Sequence, residues 1–538
     1  MSELTRRIKC DETKPGCVRC FKFGIYCSGY SRQPDKISSK SRTIVPILPK
    51  GKASNVTRES IVEVYIGPRF TEELETRYFR YFCENVAARI AGPLPTGVWS
   101  EIIPQVCEIE PYVAHGLVAL GAFTKHHKEI SNGSASSSPH QHREFALREY
   151  GKSLRGMQEA INKNSGLSPR TALIACILVF SIEGIQGHQE SASIHATNGI
   201  VMMYDLYKAG GARCSFGREN HIGPELRRAF TDLDLQVLHF FDVRSTAHHV
   251  MIKEQINRHN LSGVLLPFQD ITDCYEHLQA IMRRNLHFIN SARKSLRDSD
   301  FQNQSRDFQA RDLEDATSIR SNKNLLSNVE HEARYPPEML HERDIYLADM
   351  VRWEEASEDI FRQCMSSPPH SESFRTAALL KAHAAASTIK LHGSFYRDEV
   401  EYDQLEQHFS TIITYCALVH PYYSTSSYHT NLGILMPLFA VGLHCRDKIL
   451  RDQAIAMSFV NEEYREGIWD SCLGGSICKW IRDLEEPWRD ANGHIPQSVR
   501  VKLVGLDVVV EKRTAQIFCT QGAGPGRASV TKDIIVTW

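Results

Sequence analysis

Four cysteines, Cys10, Cys17, Cys20 and Cys27, fall as C-x6-C-x2-C-x6-C near the start of this 538-residue chain. Thiolates at such spacing can converge on Zn2+, whose tetrahedral shell favours sulfur ligands. Basic residues Arg6, Arg7 and Lys9 stand just before the first cysteine, and Lys14-Pro15 supplies a rigid φ for a turn before the second. From Met1 to Arg42 there are ten Lys and Arg against four Asp and Glu, a net of six positive charges, while the whole chain carries −1. A basic tip on a neutral-to-acidic body suits attraction to a phosphate backbone, with separate work left to the body. The fifteen cysteines fit a reducing compartment, and nothing before the cluster reads as a secretory leader, so a disulfide framework is not expected.

The stretch resembles the distal two thirds of the fungal binuclear zinc cluster, in which six cysteines spaced C-x2-C-x6-C-x5-12-C-x2-C-x6-C hold two zinc ions. On that resemblance Cys10, Cys17, Cys20 and Cys27 match the third to sixth ligands, and Gly29-Tyr30 the closing residues. The second ligand should sit at position 3, where the chain has Glu3, and the first would fall before Met1. One bridging and one terminal ligand are therefore missing, and two zincs are not held in the family manner. Three expectations stand: a start site lying further upstream, a degenerate module, or a single metal in a four-thiolate shell. The first is preferred, because the rest of the motif is intact. The resemblance further implies that a short helix ending at Cys10 enters the DNA major groove, with Arg6, Arg7, Lys9, Lys14 and Arg19 as the DNA-facing set. An arginine paired bidentately with guanine discriminates bases by about 1–3 kcal/mol. Leu4 stands where the family usually has another basic residue.

These residues need a frame. Residues 1–30 read as the partial zinc-cluster module and 31–69, rich in Ser, Lys, Arg and Pro, as a flexible linker. No sustained heptad pattern follows, so a dimer has no support in the sequence. From Phe70 apolar residues recur at helical spacing: Leu74, Tyr78, Phe82 and Val86 on one face, Leu117, Leu120 and Phe123 on another, and Leu173 to Ile182 as a buried helix. That last run is shorter than the roughly 20 apolar residues of a membrane span, and no membrane association is expected. The fold class expected is all-α: a large helical regulatory domain over 70–490, preceded by the small, incomplete module and its linker. Two interruptions are expected, a Ser-rich loop from Ser131 to His142 and a disordered insertion over 296–337. Residues 491–538 have no clear structure, although Val501 to Val510 is a first run of β-branched residues, suggesting a final helix or strand.

A second resemblance covers most of the chain. Trp99-Ser100-Glu101-Ile102-Ile103-Pro104-Gln105 and Glu110-Pro111-Tyr112-Val113-Ala114-His115 are similar to the start of the fungal-specific transcription factor domain. Ala172 to Ile182 with Glu183, and His195 with Gly199, resemble its central helices. Pro437-Leu438-Phe439, Cys445-Arg446-Asp447, Arg451 with Ala454-Ile455, and Arg465-Glu466-Gly467-Ile468-Trp469-Asp470 resemble its C-terminal signature. The resemblance implies a helical regulatory region that senses ligands or binds partners. Read as residues alone, Trp99, Trp469 and Phe439 are core aromatics, Arg446 and Asp447 are salt-bridged or helix-terminal, and Cys445 is a small buried hydrophobe.

Catalytic signatures do not emerge. No H-E-x-x-H or G-x-S-x-G occurs, and His331-Glu332 and His341-Glu342 lack the second histidine of a zinc protease. Gly151-Lys152-Ser153 has the ending of a phosphate-binding loop, but Ala146 stands where its first glycine belongs. The expectation is a nuclear, zinc-dependent, sequence-specific regulator of RNA polymerase II genes and no enzyme. Its cofactor would be Zn2+ and its partners promoter DNA together with transcription machinery or co-regulators. The alternative is a helical interaction or ligand-sensing protein that no longer binds DNA.

Overall fold

The computed structural model of the protein describes residues 70–92, 97–131, 138–162, 168–210, 222–240, 242, 244–260, 268–304, 335–423, 428–460, 464–509, 513–522 and 529–537. All belong to one unit, Ile66–Trp538. The zinc-cluster module and the linker lie outside the described residues.

Chain chemistry sets the helix ends. Helix α1 (Glu73–Tyr81) starts at a capping box in which the Glu75 carboxylate accepts from the backbone N–H of Glu72, at 3.2 Å. It runs into a π-helical turn, Phe82–Val86. Helices α2 (Pro111–Ser131) and α3 (Ser138–Asn162) pack as a pair, as do α4 (Pro169–Gln186) and α5 (Gln189–Gly210). Helix α4 has Ser168 as its N-cap, Pro169 in its first turn and Gly187 at φ 84° beyond its end, the three residue types that start and stop a helix. It is long and apolar enough by composition to cross a membrane, yet most of it is buried in the core of the protein.

Helices α6 (Pro224–Phe240), α7 (Thr246–Asn260), α8 (Ile271–Gln304), α9 (Pro337–Met365) and α10 (Glu372–Gly393) form the middle of the bundle, with α10 against α8, α9 and α11 (Glu406–Tyr423). Trp353 of α9 is fully buried and its indole N–H donates to the Cys274 carbonyl at 3.0 Å. Helices α12 (Leu435–His444), α13 (Lys448–Ser458) and α14 (Ser471–Glu485) close the body, α13 and α14 capped by the carboxylates of Asp447 and Asp470. Between them a small sheet joins β1 (Tyr428–His429), β2 (Arg465–Glu466) and β3 (Trp469–Asp470). A second sheet, β4 (Val501–Val509), β5 (Thr514–Gly522) and β6 (Ser529–Thr537), is antiparallel throughout, with an irregularity between Leu503 and Gly505. Val501, Ala515, Ile517 and Cys519 pack beneath it on Leu473, Ile477 and Ile481 of α14.

The body is all-α, as the sequence pattern implies, with local differences. Tyr78, Phe82 and Val86 are buried, but Leu74 in the first turn of α1 is 43% exposed, since a spacing of four residues drifts around a helix of 3.6 residues per turn. Residues 138–142 are helical rather than loop: Ser138-Pro139 opens α3, and proline in a first turn is a helix start. Helix α8 continues through 296–304 of the expected insertion, whereas 305–334 lie outside the described residues. Of the helix or strand expected after residue 498, the segment takes the strand form and builds the β4–β6 sheet.

Candidate functional site

Residues of the C-terminal signature meet in a buried ion network. The Arg446 guanidinium donates to Glu399 (3.0 Å), to Glu485 (2.6 Å) and to the Leu443 carbonyl (2.9 Å). Arg451, from one turn into α13, donates to the other oxygen of Glu485 (2.6 Å) and to the Gly442 carbonyl (3.0 Å). Two guanidiniums face two carboxylates, with His444 at 3.2 Å from Glu399. Burial alone would raise the Glu399 carboxyl, but the charges of His444 and Arg446 hold it down at about 2. Glu485 also accepts the backbone N–H of Val501 at 2.6 Å, which pins the first residue of β4 to the helical body. Arg500 adds a two-pronged pair with Asp403, at 2.7 and 2.6 Å.

Arg465-Glu466-Gly467-Ile468-Trp469-Asp470 folds as the tight β2–β3 hairpin. Gly467 has φ 58° and its Cα lies against the Gln236 amide, so only glycine fits. The Gln236 oxygen accepts from the Ile468 N–H at 3.1 Å, and its amide group donates to the Thr430 carbonyl. Arg465 pairs with Asp470 at 2.9 Å while Asp470 caps α14. Glu466 is fully buried at the start of α12, where it accepts the N–H groups of Gly433 (2.8 Å), Ile434 (2.7 Å) and Leu435 (3.1 Å) and the Tyr464 hydroxyl (2.7 Å). Burial lifts its carboxyl to about 7 against the pull of those donors. The charged side chains of the signature are thus engaged in holding elements together. Trp99 and Trp469 are buried as core aromatics, Phe439 is half-buried against Trp469, and Cys445 is buried with its thiol pushed to about 12.

A third cluster joins α1, α2 and α3. Lys152 lies 2.7 Å from Glu75 and 2.9 Å from Glu149, and His115 lies 2.7 Å from Glu149 and 3.8 Å from Glu75. Both glutamates are almost wholly buried, and the ligand atoms of Glu75, His115 and Glu149 are close enough to hold a metal. The Lys152 ammonium already bridges the two carboxylates, however, so a cation would have to displace it. Gly151-Lys152-Ser153 lies in the middle of α3, with the Ser153 hydroxyl donating to the Tyr112 carbonyl at 2.7 Å, and forms no phosphate cradle. An open cleft of about 360 Å³, lined by Tyr112, His115, Lys152, Arg155 and Glu159, adjoins the cluster.

Glu399, Glu485, Gln236 and Arg500 escaped the sequence reading. The partners described above lie from 16 to 232 residues away along the chain, and no local spacing announces such pairs. The metal residues Cys10, Cys17, Cys20 and Cys27 and the DNA-facing residues Arg6, Arg7, Lys9, Lys14 and Arg19 all lie outside the described residues.

A cysteine-rich basic tip joined to a helical body with these interlocked motifs defines a fungal zinc-cluster transcription regulator. Two family models match the chain: the fungal specific transcription factor domain over residues 77–498, and the fungal Zn(2)-Cys(6) binuclear cluster domain over residues 5–37. The first covers most of the chain, which belongs to the fungal specific transcription factor domain family. Zinc is the expected cofactor of such a cluster, DNA is the partner that zinc-cluster domains bind, and regulators of this family are not enzymes. The transcription regulator lscL of Purpureocillium lilacinum is 24% identical over 250 residues, 45% of this chain and 56% of the relative. The Aspercryptin biosynthesis cluster-specific transcription regulator atnN of Emericella nidulans is 26% identical over 214 residues, 37% of this chain and 33% of the relative. The matched stretch thus spans about half the length of one curated relative and a third of the other. No solved structure matches the chain.

Proposed function

We propose that this protein is a nuclear regulator of RNA polymerase II genes that selects promoter sites in double-stranded DNA through its zinc-bearing N-terminal module. The observation that carries this reading is the overlap of the cluster-domain match at 5–37 with the four-cysteine spacing and its basic residues. Cys10, Cys17, Cys20 and Cys27 supply four thiolates, a donor set suited to tetrahedral Zn2+. A second zinc held in the family manner requires two further cysteines. Arg6, Arg7 and Lys9 approach base edges from the short helix, and Lys14 and Arg19 pair with phosphates. The helical body transmits signals to promoter output through co-regulators or the transcription machinery. The module spans residues 1–30, a linker 31–69, the regulatory body 70–490 and a C-terminal segment 491–538, which carries the β4–β6 sheet.

The test is zinc content by atomic emission together with site selection from a randomised duplex library, using the full chain and a Cys17→Ser variant. The expected result is zinc bound by the parent chain, recovery of one sequence family, and loss of both in the variant. A parent chain that holds no zinc and selects no sequence would leave a partner-binding helical body as the function.

A further inference from the structure

The open cleft beside the α1–α3 cluster, about 360 Å³, falls within the roughly 300–1,000 Å³ that small-molecule sites occupy. One wall is a single face of α3, on which Lys152, Arg155, Gly156, Glu159 and Ala160 recur three and four residues apart. The facing wall is the start of α2, from Glu110 just before it through Pro111 and Tyr112 to His115. Gly156 lets the two helices meet there, since a Cβ on it would lie 2.6 Å from the Cβ of Tyr112.

The charged groups of the cleft differ in what already holds them. The Lys152 ammonium is turned into the cluster, 2.7 Å from Glu75 and 2.9 Å from Glu149, and the His115 ring is fixed by its Nδ1 at 2.7 Å from Glu149. Arg155, Glu159 and Glu110, by contrast, close no ion pair within 4.0 Å among the described residues. Arg155 and Glu159 stand four residues apart on one face, the spacing of a helical ion pair, yet the guanidinium lies back over Gly151, where a Cβ would be 3.5 Å from its Nη1. Glu110 joins α2 through its main chain, its carbonyl accepting the N–H groups of Val113 (3.0 Å) and Ala114 (3.4 Å), while its carboxylate accepts no backbone N–H among the described residues. One cleft thus holds one cation and two anions that the fold leaves without counter-charges, beside the apolar surface of Pro111, Tyr112 and Ala160.

A ligand of one charge answers only half of that arrangement: an anion meets Glu110 and Glu159, and a cation meets Arg155. We propose that the cleft binds a small zwitterion of the amino-acid type. Its carboxylate pairs with the Arg155 guanidinium, whose planar fork suits two-pronged pairing, and its ammonium pairs with Glu159 and Glu110. Its side chain lies on Pro111, Tyr112 and Ala160. Such an occupant touches α2 and α3 at once, and Lys152 extends the contact to Glu75 of α1. Read as the effector site of a regulator, the cleft rests on the function proposed above; zwitterion binding itself does not.

The test is calorimetric titration of the full chain with free phenylalanine, phenylacetate and phenethylamine, which share a ring and carry both charges, the negative one only and the positive one only. Phenylalanine should bind more tightly than either of the others by at least about tenfold, the size of one charged hydrogen bond. Arg155→Met should erase its margin over phenethylamine, and Glu159→Gln should narrow its margin over phenylacetate. Both positions are exposed and unpaired, so folding is retained, and a melting curve checks it. Failure of every probe, equal binding of all three, or a margin over phenethylamine that survives Arg155→Met would each overturn the proposal. Site selection on DNA is measured in parallel: a chain that selects DNA but binds no probe sinks the cleft alone, and one that binds phenylalanine but selects no DNA sinks only the effector role.

Discussion

At the residue scale, the groups that matter most in the body are charges that were taken out of water in pairs. Glu485 is the clearest case, fully buried between Arg446 and Arg451 and accepting the Val501 N–H. Glu485→Ala leaves two buried guanidiniums facing each other, and such a loss costs about 3–5 kcal/mol. Chemical denaturation should show that loss, and because β4 is released at Val501, amide exchange in the β4–β6 sheet should quicken more than in α4. Equal quickening everywhere would mean that Glu485 does not anchor the sheet. Glu399 yields a pH prediction. Its folded pKa of about 2 lies below the ordinary 4.5, so its contribution is fully present above about pH 4.5 and is lost as pH falls toward 2. The shift corresponds to something on the order of 3 kcal/mol. Glu399→Gln should therefore lower stability at neutral pH and flatten its decline between pH 4.5 and 2, as read from urea midpoints across that range. Sequence spacing could flag Arg446, Asp447 and Arg451, which are local to one helix start. It could not flag Glu399 or Glu485, because ion pairs closed across the fold leave no periodic trace.

At the element scale, the sequence marks helices better than it marks where they end. The stretch 296–304 is polar, yet α8 holds no Gly or Pro along its 34 residues, so nothing in it stops the helix. The opposite holds at Ser138-Pro139, where the serine-rich composition of a loop hides a helix start. The β4–β6 sheet follows from β-branched runs whose alternation shows on β5, where Ala515, Ile517, Cys519 and Gln521 are the buried positions. Turns sharpen the argument. Gly467 (φ 58°) and Gly493 (φ 83°) are both left-handed, but Gly467 meets Gln236 whereas Gly493 has open space around its Cα. Gly493→Ala should cost only the left-handed penalty, about 1–2 kcal/mol. Gly467→Ala should cost more, because Gln236 must also release Ile468 and Thr430. Thermal melts of the two variants check the order, and equal losses would show that the close approach in the β2–β3 hairpin carries no weight.

At the scale of the whole molecule, charge and thiol chemistry are distributed unevenly along the chain. The net charge of six positive over residues 1–42 sits on a chain whose total is −1. In the body, burial pushes the thiols of Cys274, Cys445, Cys478 and Cys519 up to about 12, which makes them poor zinc ligands, since the metal takes the thiolate. Zinc should therefore report on the N-terminal cysteines alone. Stripping it with a chelator should abolish selective DNA binding while leaving the melting of the helical body where it was, because that body is held by packing and ion pairs. A parallel drop in the body's melting temperature would place metal within it, for instance at Glu75, His115 and Glu149. The same division predicts the salt response. Each phosphate neutralised contributes about −0.9 to the slope of log affinity against log salt, so replacing both Lys14 and Arg19 by alanine should flatten that slope by about 1.8 and weaken all sequences alike. Replacing Arg6 should instead blur the choice among sequences by about 1–3 kcal/mol at one base position. Fluorescence anisotropy across a salt series, on the selected duplex and on a scrambled one, separates the two responses. If both substitutions acted identically, Arg6 would be holding phosphate rather than reading bases.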